Sequence, residues 1–403
     1  MRFFMRIRVL LLLILLTVST ESFSGSYFTM NRVGNVLYQT QADFSGRGGT
    51  GIGVLDRRSI NTLNPAGLAV VDLTRFTGHF IHESIDIKTQ SATALSNYSN
   101  FGGVNISIPL MVDKFVISLG IRPISQFDFE TESEGELSTG NRYVRSVVNE
   151  GGLNQVTLGA GFGYKKKVFA GFYFNHNFGR IEENWKVDFV SDLFIDTSDK
   201  LLSTIWGQNF TFGTMIRVTD DFTVGGMLTT GVNLNMNNHI EYTFGKSTET
   251  IEQTMKFPHA WGMGASYLLK RRLRVSADYF NQPWSGIEIA DRSNLPYNDM
   301  HTISSGIEYI PFGKIYRGFY KKLTYRIGFN YTTLPYVDDN GNDLTEYFGT
   351  VGLGVPFYSG RGRIDLAFNF GKRGDIGSNS AEESVYRFLI SVSGAEKWFF
   401  RPE

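Results

Sequence analysis

The side chains that most often perform catalysis form no recognisable pattern in this sequence. Its six histidines include no HExxH motif, and no G-x-S-x-G nucleophile elbow is present. Cysteine is absent, which excludes disulfides, thiolate nucleophiles, thiolate metal ligands and an N-terminal lipid-modified cysteine. We therefore expect a protein without catalytic residues, metal or cofactor. The enzymatic alternative is a lipid-hydrolysing protein whose serine and histidine meet only in the folded chain.

One glycine-rich stretch, Gly46 to Gly51, formally matches the dinucleotide fingerprint GxGxxG. Its context does not fit a nucleotide site. The polar stretch Gln41 to Asp43 precedes it where an apolar strand is required, and no βαβ unit surrounds it. The glycines Gly48, Gly49 and Gly51 predict a tight backbone path instead.

Composition and charge favour one closed β architecture and exclude a nucleic-acid partner. The 403 residues carry 39 basic and 39 acidic side chains, so the net charge is +0 and no strong field would attract nucleic acid. Gly occurs 44 times and aromatic residues make up 14% of the chain, whereas Pro occurs only 10 times. This mixture is typical of many strands closed into one small architecture.

The first 24 residues have the pattern of a secretory signal. Arg2, Arg6 and Arg8 precede a mostly apolar stretch from Val9 to Val18, which is too short to cross a bilayer as a helix. Small residues follow, and cleavage is expected before Gly25. The alternative is an N-terminal membrane anchor. Since no later stretch has about 18 consecutive apolar residues, a membrane protein with this sequence must be a barrel.

From residue 73 onward, apolar and polar residues alternate in long runs, for example in 153–164, 324–331 and 363–370. A period of two indicates β-strands, and runs of about ten residues with bulky aromatics on the apolar face are typical of strands that face lipid. We predict an all-β fold, a transmembrane antiparallel β-barrel over residues 73–400. About fourteen runs are present: 73–84, 101–110, 113–130, 140–165, 167–182, 204–219, 222–240, 252–270, 273–285, 300–311, 322–335, 346–358, 361–372 and 384–397.

The connections between these runs alternate in length. Those after even-numbered runs are mostly short, as at Lys166 and Asp220-Asp221, and those after odd-numbered runs are mostly long, as at 85–100 and 183–203. Outer-membrane barrels have short periplasmic turns, longer external loops and an even strand number. The alternation therefore predicts a bacterial outer-membrane protein whose residue 73 and both termini lie on the periplasmic side.

Residues 25–72 do not alternate and contain no spanning strand, so we expect them to form a plug, or hatch, inside the barrel. The stretch Asn64-Pro65-Ala66-Gly67 marks its end. Pro65 and Gly67 are expected to set the backbone of a short helix or turn there.

Charged side chains lie on the polar face of the predicted strands, which faces the barrel interior. Two interpretations are open: they form ordinary ion pairs within a polar lumen, or an arginine among them binds the carboxylate of a substrate. The residues are Arg122, Arg217, Asp278, Glu308, Arg326, Arg363, Asp365 and Arg387.

The order of several short motifs resembles the FadL-type family of outer-membrane transporters for hydrophobic compounds. A Gly-rich segment is followed by Ser59 to Leu68, which is similar to the family's hatch motif ending in Asn-Pro-Ala-Gly. Lys256-Phe257-Pro258 then leads into Trp261 to Tyr267, and Gly306 to Tyr309 precedes Tyr325 to Phe329. The resemblance covers most of residues 46–335.

The resemblance implies a fourteen-stranded barrel whose hatch closes the lumen, and a kink in the third strand through which substrates pass into the membrane plane. In the third run here, Arg122-Pro123 interrupts the alternation. A proline cannot donate to the ladder and is placed at bulges or edges, so the alternative is an ordinary bulge near the rim. The expected gate residues are Gly48, Gly49, Gly51, Asn64, Pro65, Ala66 and Gly67.

The function implied is passive uptake of hydrophobic molecules such as long-chain fatty acids by a monomer in outer-membrane lipid. Aromatic side chains near the external mouth are expected to make the first contact with substrate: Phe127, Phe129, Trp206, Trp284 and Tyr297. The alternative is a PorV-like envelope protein that serves protein secretion or surface attachment, because that branch resembles the same hatch and barrel. The C-terminal sequence departs from a strand ending on an aromatic residue, so the assembly signal is expected at Phe399 or Phe400.

Overall fold

The computed structural model describes residues 25–29, 34–37, 40–90, 92–137, 140–191, 193–243, 248–287, 297–310, 318–338 and 340–398. The proposed signal, residues 1–24, and the terminal aromatics Phe399 and Phe400 lie outside these residues. The strands of the described part are β1 (Asn35–Val36), β2 (Thr74–Thr89), β3 (Thr93–Met111), β4 (Phe115–Gln126), β5 (Phe129–Glu136), β6 (Arg142–Tyr164), β7 (Val168–Phe189), β8 (Thr197–Arg217), β9 (Phe222–Thr229), β10 (Val232–Glu241), β11 (Thr248–Phe257), β12 (Ala260–Leu269), β13 (Leu273–Gln282), β14 (Met300–Tyr309), β15 (Thr324–Val337), β16 (Asp343–Phe357), β17 (Gly362–Asp375) and β18 (Ala381–Glu396).

Helices are short in the described part of the chain. They are α1 (Ala42–Ser45), α2 (Ile376–Asn379) and 3-10 turns at Tyr27–Thr29, Pro65–Val70, Phe319–Lys322 and Tyr358–Gly360. Within the described ranges, no helix has the length and apolar character needed to cross a membrane.

Fourteen strands close into a barrel in which each strand pairs antiparallel with its neighbours, and β18 pairs with β2 to complete the ring. The ring consists of β2, β3, β4, β6, β7, β8, β9 and β12 to β18. The strands β5, β10 and β11 continue β4, β9 and β12 beyond an interruption. The count of fourteen strands predicted from the sequence is therefore confirmed.

The outer face of the barrel is apolar and the inner face is polar or glycine-rich, as the alternation predicts. Along β14, for example, Ile303 and Ile307 are exposed, whereas Ser304 and Glu308 are buried inside. Aromatic side chains recur on the outer face of other strands, including Phe162, Phe212, Phe329, Phe368 and Phe370. An apolar band of this kind is the surface that lipid solvates in a membrane barrel.

Many residues that the sequence assigned to long connections belong to strands in the structure. The predicted 85–100 connection shortens to a turn, because β2 runs to Thr89 and β3 begins at Thr93. Likewise β7 reaches Phe189 and β8 begins at Thr197, inside the predicted 183–203 connection. Strand pairing continues above the apolar band, where both faces are polar and the alternation that identified strands is lost. We call this the long-hairpin end and the opposite one, where β2 begins, the short-turn end.

The described parts of the N-terminal segment, residues 25–29, 34–37 and 40–72, lie inside the barrel. The first described residue of the segment lies at the long-hairpin end, where the Gly25 N–H donates to Ser96 Oγ at 3.0 Å. Its last turn, Pro65–Val70, packs against β6 and β7 before the chain enters β2 at Thr74. The last strand, β18, ends at the short-turn end by pairing Glu396 with Thr74. The position of the N-terminus itself stays a prediction.

Candidate functional site

Inward-facing glycines of the barrel make room for the N-terminal segment. Gly306 and Gly328 are paired across β14 and β15, and the backbone of Arg47 and Gly48 lies directly against them. A side chain at either position would collide with that backbone. The same close approach to the segment occurs on six further inward glycines, Gly161, Gly171, Gly213, Gly225, Gly264 and Gly352. We call these eight residues the glycine ring.

The motif ending in Asn-Pro-Ala-Gly sets the backbone at the bottom of the segment. Asn64 precedes the 3-10 turn Pro65–Val70, and its Oδ1 accepts the Ala66 N–H at 3.0 Å. Its Nδ2 donates to three carbonyl oxygens, of Ile52 at 2.8 Å, Thr214 at 3.2 Å and Gly226 at 3.2 Å. Asn64 therefore bonds the segment to the wall strands β8 and β9.

The glycine-rich stretch forms a turn after α1 and holds no cradle for a nucleotide. Gly48 and Gly49 have φ angles of 71° and 84°, in the left-handed region that favours glycine. The N–H groups of Gly51 and Ile52 donate to Asp278 Oδ2 at 2.6 and 2.8 Å. The N–H groups at the end of the stretch are thus bonded to the barrel wall, and the predicted tight path has this physical cause.

Charged side chains of the segment and of the barrel form one buried cluster, which we call the anchoring network. Glu308 is at its centre: Arg274 Nη1 lies 2.6 Å from Oε2, Arg326 Nε 2.9 Å from Oε1, and Arg47 Nη1 3.6 Å from Oε1. Arg47 and Glu308 have no exposed side-chain surface. The network comprises Asp43, Arg47, Asp56, Arg274, Glu308, Arg326, Arg363 and Asp365.

Arg363 extends the network from the barrel to the segment. Its Nη2 lies 3.2 Å from Asp43 Oδ2 and its Nε 2.5 Å from Asp365 Oδ2, while Arg326 Nη1 lies 2.7 Å from Asp365 Oδ1. Of the two interpretations left open by the sequence, lumen ion pairing therefore describes these residues. The predicted charged residues of the lumen did not include four members of the network, Asp43, Arg47, Asp56 and Arg274. The burial of a charge leaves no local pattern in the amino-acid sequence from which it could be predicted.

The arginines of the network lower the pKa values of two carboxyl groups of the segment, those of Asp43 and Asp56. Burial alone raises the pKa of Asp56, but Arg58, Arg274 and Arg363 outweigh it and hold that pKa well below its ordinary value. Burial likewise raises the pKa of Asp43, and Arg363 and Arg47 reverse the shift to a net lowering. Both carboxylates are therefore held in the charged form that the arginines require.

The pairing of the third spanning strand, β4, is irregular next to Arg122-Pro123, the position at which the sequence alternation is interrupted. Its register shifts between Pro123 and Ser125 in the pairing with β6. Its ladder with β3 ends at Ile121, opposite Val104. Within the described residues, the part of β3 from Thr93 to Gly103 has a ladder partner only in β2. Beside Arg122-Pro123 the ladder between β3 and β4 is thus interrupted, and we call this break in the pairing of the wall the gap.

The N-terminal segment covers this gap from inside. Its strand β1 pairs with the end of β4, with Asn35 opposite Gln126 and Val36 opposite Ser125. The Leu37 N–H donates to the Ile124 carbonyl at 2.9 Å. These few backbone bonds, a hydrogen bond from the Tyr336 hydroxyl to the Gly34 carbonyl, and apolar packing of Val36 hold β1 to the wall. The residues from Asp43 to Asn64 are held by buried charges and amides instead.

A cavity of about 110 Å³ lies in the lumen between β1 and the barrel wall. The N-terminal segment contributes Leu37 and Leu63 to its lining, and β4 contributes Arg122. The barrel contributes amide and hydroxyl side chains from β6 to β9 and apolar side chains from β9 to β14, among them Gln155, Asn177, Asn209, Thr211, Leu234, Phe257, Phe280 and Met300. We call it the lumen cavity.

The aromatic residues expected at the external mouth are largely internal. Phe127, Trp284 and Tyr297 are buried in one apolar cluster that fills the lumen toward the long-hairpin end. The Trp284 ring stacks 6.1 Å from that of Tyr297. Trp206 and Phe129 are half-buried and are not part of that cluster. Three of the five thus close the lumen above the cavity, and their contact with substrate stays a prediction.

No group of three or more His, Asp or Glu side chains within the described ranges is arranged to hold a metal ion.

A family model described as BamG matches residues 4–403. A search among curated proteins gave no significant match.

Several solved structures share the fold at low sequence identity. The toluene transporter TbuX of Ralstonia pickettii has a TM-score of 0.61 and 16% identity, covering 89% of this chain and 99% of its own. A FadL homologue of Pseudomonas aeruginosa has a TM-score of 0.63 and 12% identity, with coverage of 91% and 100%. The toluene transporter TodX of Pseudomonas putida has a TM-score of 0.57 and 16% identity, with coverage of 91% and 100%. The barrel is therefore of the FadL type.

Proposed function

Since the chain belongs to the BamG family and has a FadL-type barrel, we propose that it is a bacterial outer-membrane channel for passive uptake of hydrophobic molecules. Its short-turn end faces the periplasm, residues 25–72 act as a hatch, and a monomer is sufficient because the sheet closes on itself through β18 and β2. Apolar solutes gain roughly 0.8 kcal/mol per buried CH₂ group on leaving water. A concentration gradient then drives net transport.

The observation that carries this proposal is the position of the lumen cavity. It lies directly behind the interrupted strand, and β1 is the element between the cavity and the gap in the wall. In this proposal a solute in the cavity reaches the membrane plane once β1 moves, because β3 and β4 are not paired there. The strand kink at Arg122 and Pro123 is thus proposed as the exit.

The size of the cavity bears on the substrate. At about 110 Å³, it is smaller than the roughly 300–1,000 Å³ of pockets that hold drug-sized ligands, and near the roughly 150 Å³ of a cavity that binds benzene. Small hydrophobic molecules fit the closed form. Long-chain fatty acids require the hatch to move before they bind.

The contacts of the hatch indicate which part moves. Gly48, Gly49, Gly51 and Asn64 to Gly67 lie against the glycine ring, the wall carbonyls or Asp278, so we propose that they form the fixed base of the gate. The moving part is β1, which has few bonds to the wall. Phe127, Trp284 and Tyr297 are proposed to admit solutes by side-chain rearrangement above it.

A disulfide across β1 tests this function. Val36 and Ser125 are direct partners, and the Cα separation of such pairs suits a disulfide. The Val36→Cys/Ser125→Cys variant in reconstituted vesicles should take up toluene at least tenfold more slowly than wild type, and reductant should restore uptake. The control is Ala277→Cys/Ser305→Cys, an outward pair in the wall, which should leave uptake unchanged.

Two further results bear on the proposal. Deleting residues 46–69 should change uptake, because it removes the fixed base of the hatch. If wild-type protein takes up neither toluene nor a fatty acid, with or without that deletion, the channel function is wrong.

One feature favours a second candidate, a PorV-like role in protein secretion or surface attachment. The anchoring network and the apolar cluster close the lumen firmly, and a scaffold for other envelope proteins needs no open path. This role predicts that the protein co-purifies with envelope proteins and that stapling β1 has no effect on secretion.

A further inference from the structure

Three amide side chains form one wall of the lumen cavity. Gln155, Asn177 and Asn209 project inward from the neighbouring strands β6, β7 and β8, and each is buried. Buried amides are costly unless their hydrogen bonds are satisfied, so their partners determine what this wall can bind.

The amides are bonded to one another in a single direction. Arg122 Nε donates to Gln155 Oε1 at 3.3 Å, and Gln155 Nε2 donates to Asn177 Oδ1 at 2.9 Å. Asn177 Nδ2 donates to Asn209 Oδ1 at 3.2 Å, and Asn209 Nδ2 donates to the Thr230 carbonyl at 3.0 Å. We call this chain the amide ladder.

The ladder leaves donors facing the cavity. An amide nitrogen carries two N–H groups, and each ladder nitrogen uses one of them in these bonds. One N–H on each of Gln155, Asn177 and Asn209 is therefore left for a ligand. The three amides are neutral donors, whereas Arg122, which also lines the cavity, keeps its charge at the start of the ladder.

Most side chains on the rest of the cavity surface are apolar, and the polar ones include Thr62 of the hatch and Gln282 of β13. The apolar ones include Leu37 of the hatch and side chains from five strands, and none of these can accept a hydrogen bond from the ladder except weakly through methionine sulfur. These residues are Met227, Leu234, Phe257, Phe280 and Met300. A ligand that fits must present an acceptor on one edge and hydrocarbon on most of the rest of its surface.

We propose that the lumen cavity selects small molecules with an apolar body and one hydroxyl or carbonyl group, of which a phenol is the simplest example. The inference rests on the proposed function and names its substrate class. A hydrocarbon of the same shape leaves the buried ladder donors unpaired, and this penalty is what lets a polar site reject an analogue that lacks the polar group.

Calorimetric binding of p-cresol and toluene to the purified protein tests the proposal, because the two molecules differ only by a hydroxyl group. Wild type should bind p-cresol about tenfold more tightly than toluene. Asn177→Leu should abolish this preference by removing the central amide, and Asn209→Leu should do the same if Asn177→Leu does not fold. Folding of each variant is checked by gel electrophoresis, because a folded barrel migrates differently before and after heating.

Asn175→Leu is the matched control. Asn175 lies on the same strand and bonds to Thr211 at 3.1 Å, but it does not line the cavity, so the preference for p-cresol should persist. Any of four results would overturn the proposal: equal binding of the two molecules to wild type, tighter binding of toluene, no binding of either, or equal effects of Asn175→Leu and Asn177→Leu.

This test measures binding and does not involve transport. Protein that binds p-cresol but takes up no solute refutes the channel alone, and protein that takes up toluene without a binding preference refutes the ladder alone.

Discussion

At the scale of single residues, charge and the absence of a side chain hold the N-terminal segment in place. Glu308 accepts from Arg274 and Arg326 and faces Arg47 of the segment. Taking such charges out of water costs several kcal/mol per ion, which is repaid only when all partners are present. The network therefore sets the position of the segment more than it adds net stability.

Glu308→Gln should loosen the segment. Loss of the central carboxylate leaves buried arginines without their counter-charge, and breaking a buried pair from one side costs about 3–5 kcal/mol. Hydrogen exchange of residues 41–70 should accelerate. The same change at an exposed pair, Glu382→Gln beside Lys372, is the control and should leave exchange unaltered. Equal exchange in the two variants would show that the network does not anchor the segment.

Gly328→Ala should displace the turn at Gly48. The added methyl meets the Gly48 backbone nitrogen, and overpacking of this kind costs about 1–3 kcal/mol. Hydrogen exchange around residues 46–53 should rise. Gly394→Ala has open space around its Cβ and serves as the control. Unchanged protection in Gly328→Ala would mean that the glycine ring does not fix the segment.

At the scale of elements, the segment has a firmly held base and a lightly held arm. The base, from α1 to Pro65–Val70, contacts strands around the whole ring, whereas the backbone ladder of β1 with the wall is a short one with β4. An element that is held by few hydrogen bonds and few buried contacts is expected to open first. This difference is why stapling β1 is the decisive test of gating.

The docked base should be stable over a wide pH range and fail only in acid. Asp43 and Asp56 have folded-state pKa values below their ordinary values. Such groups stabilise docking fully above the ordinary carboxyl pKa of about 4, and that contribution is lost as pH falls through the folded-state pKa. Protection of residues 41–70, corrected for intrinsic exchange, should be constant from about pH 8 to 5 and fall below about pH 4. A loss of protection between pH 8 and 6 would contradict this assignment.

At the scale of the whole molecule, the barrel has two different ends. The short-turn end carries tight turns such as Lys270-Arg271, and the long-hairpin end carries strands that continue beyond the apolar band, such as β5. If the protein is oriented as proposed, only the second end is reachable from outside the cell.

Cysteine labelling tests this orientation without background, because the chain has no native cysteine. Glu134→Cys, on exposed β5, should react with a membrane-impermeant maleimide on intact cells. Lys270→Cys should react only after the outer membrane is permeabilised. The reverse pattern would invert the orientation, and labelling of neither site after permeabilisation would place the protein elsewhere.

The alternation of apolar and polar residues is enough to predict the wall of the barrel. Lipid outside and a polar lumen inside impose a period of two on the strands, so the fourteen strands and their order can be predicted from the sequence. The strand lengths were underestimated, because above the membrane both faces are polar and hairpins such as Thr89 to Thr93 lose the pattern.

The contacts that fill the barrel are visible only in the tertiary structure. The pairing of Asp43 with Arg363, the meeting of Gly48 with Gly328, and the burial of Trp284 depend on how a non-periodic segment lies across strands hundreds of residues away. These contacts follow from the register of the closed sheet, and register between distant strands leaves no local mark on composition or spacing. The amide ladder has the same origin, since Gln155, Asn177 and Asn209 become neighbours only when β6, β7 and β8 are paired.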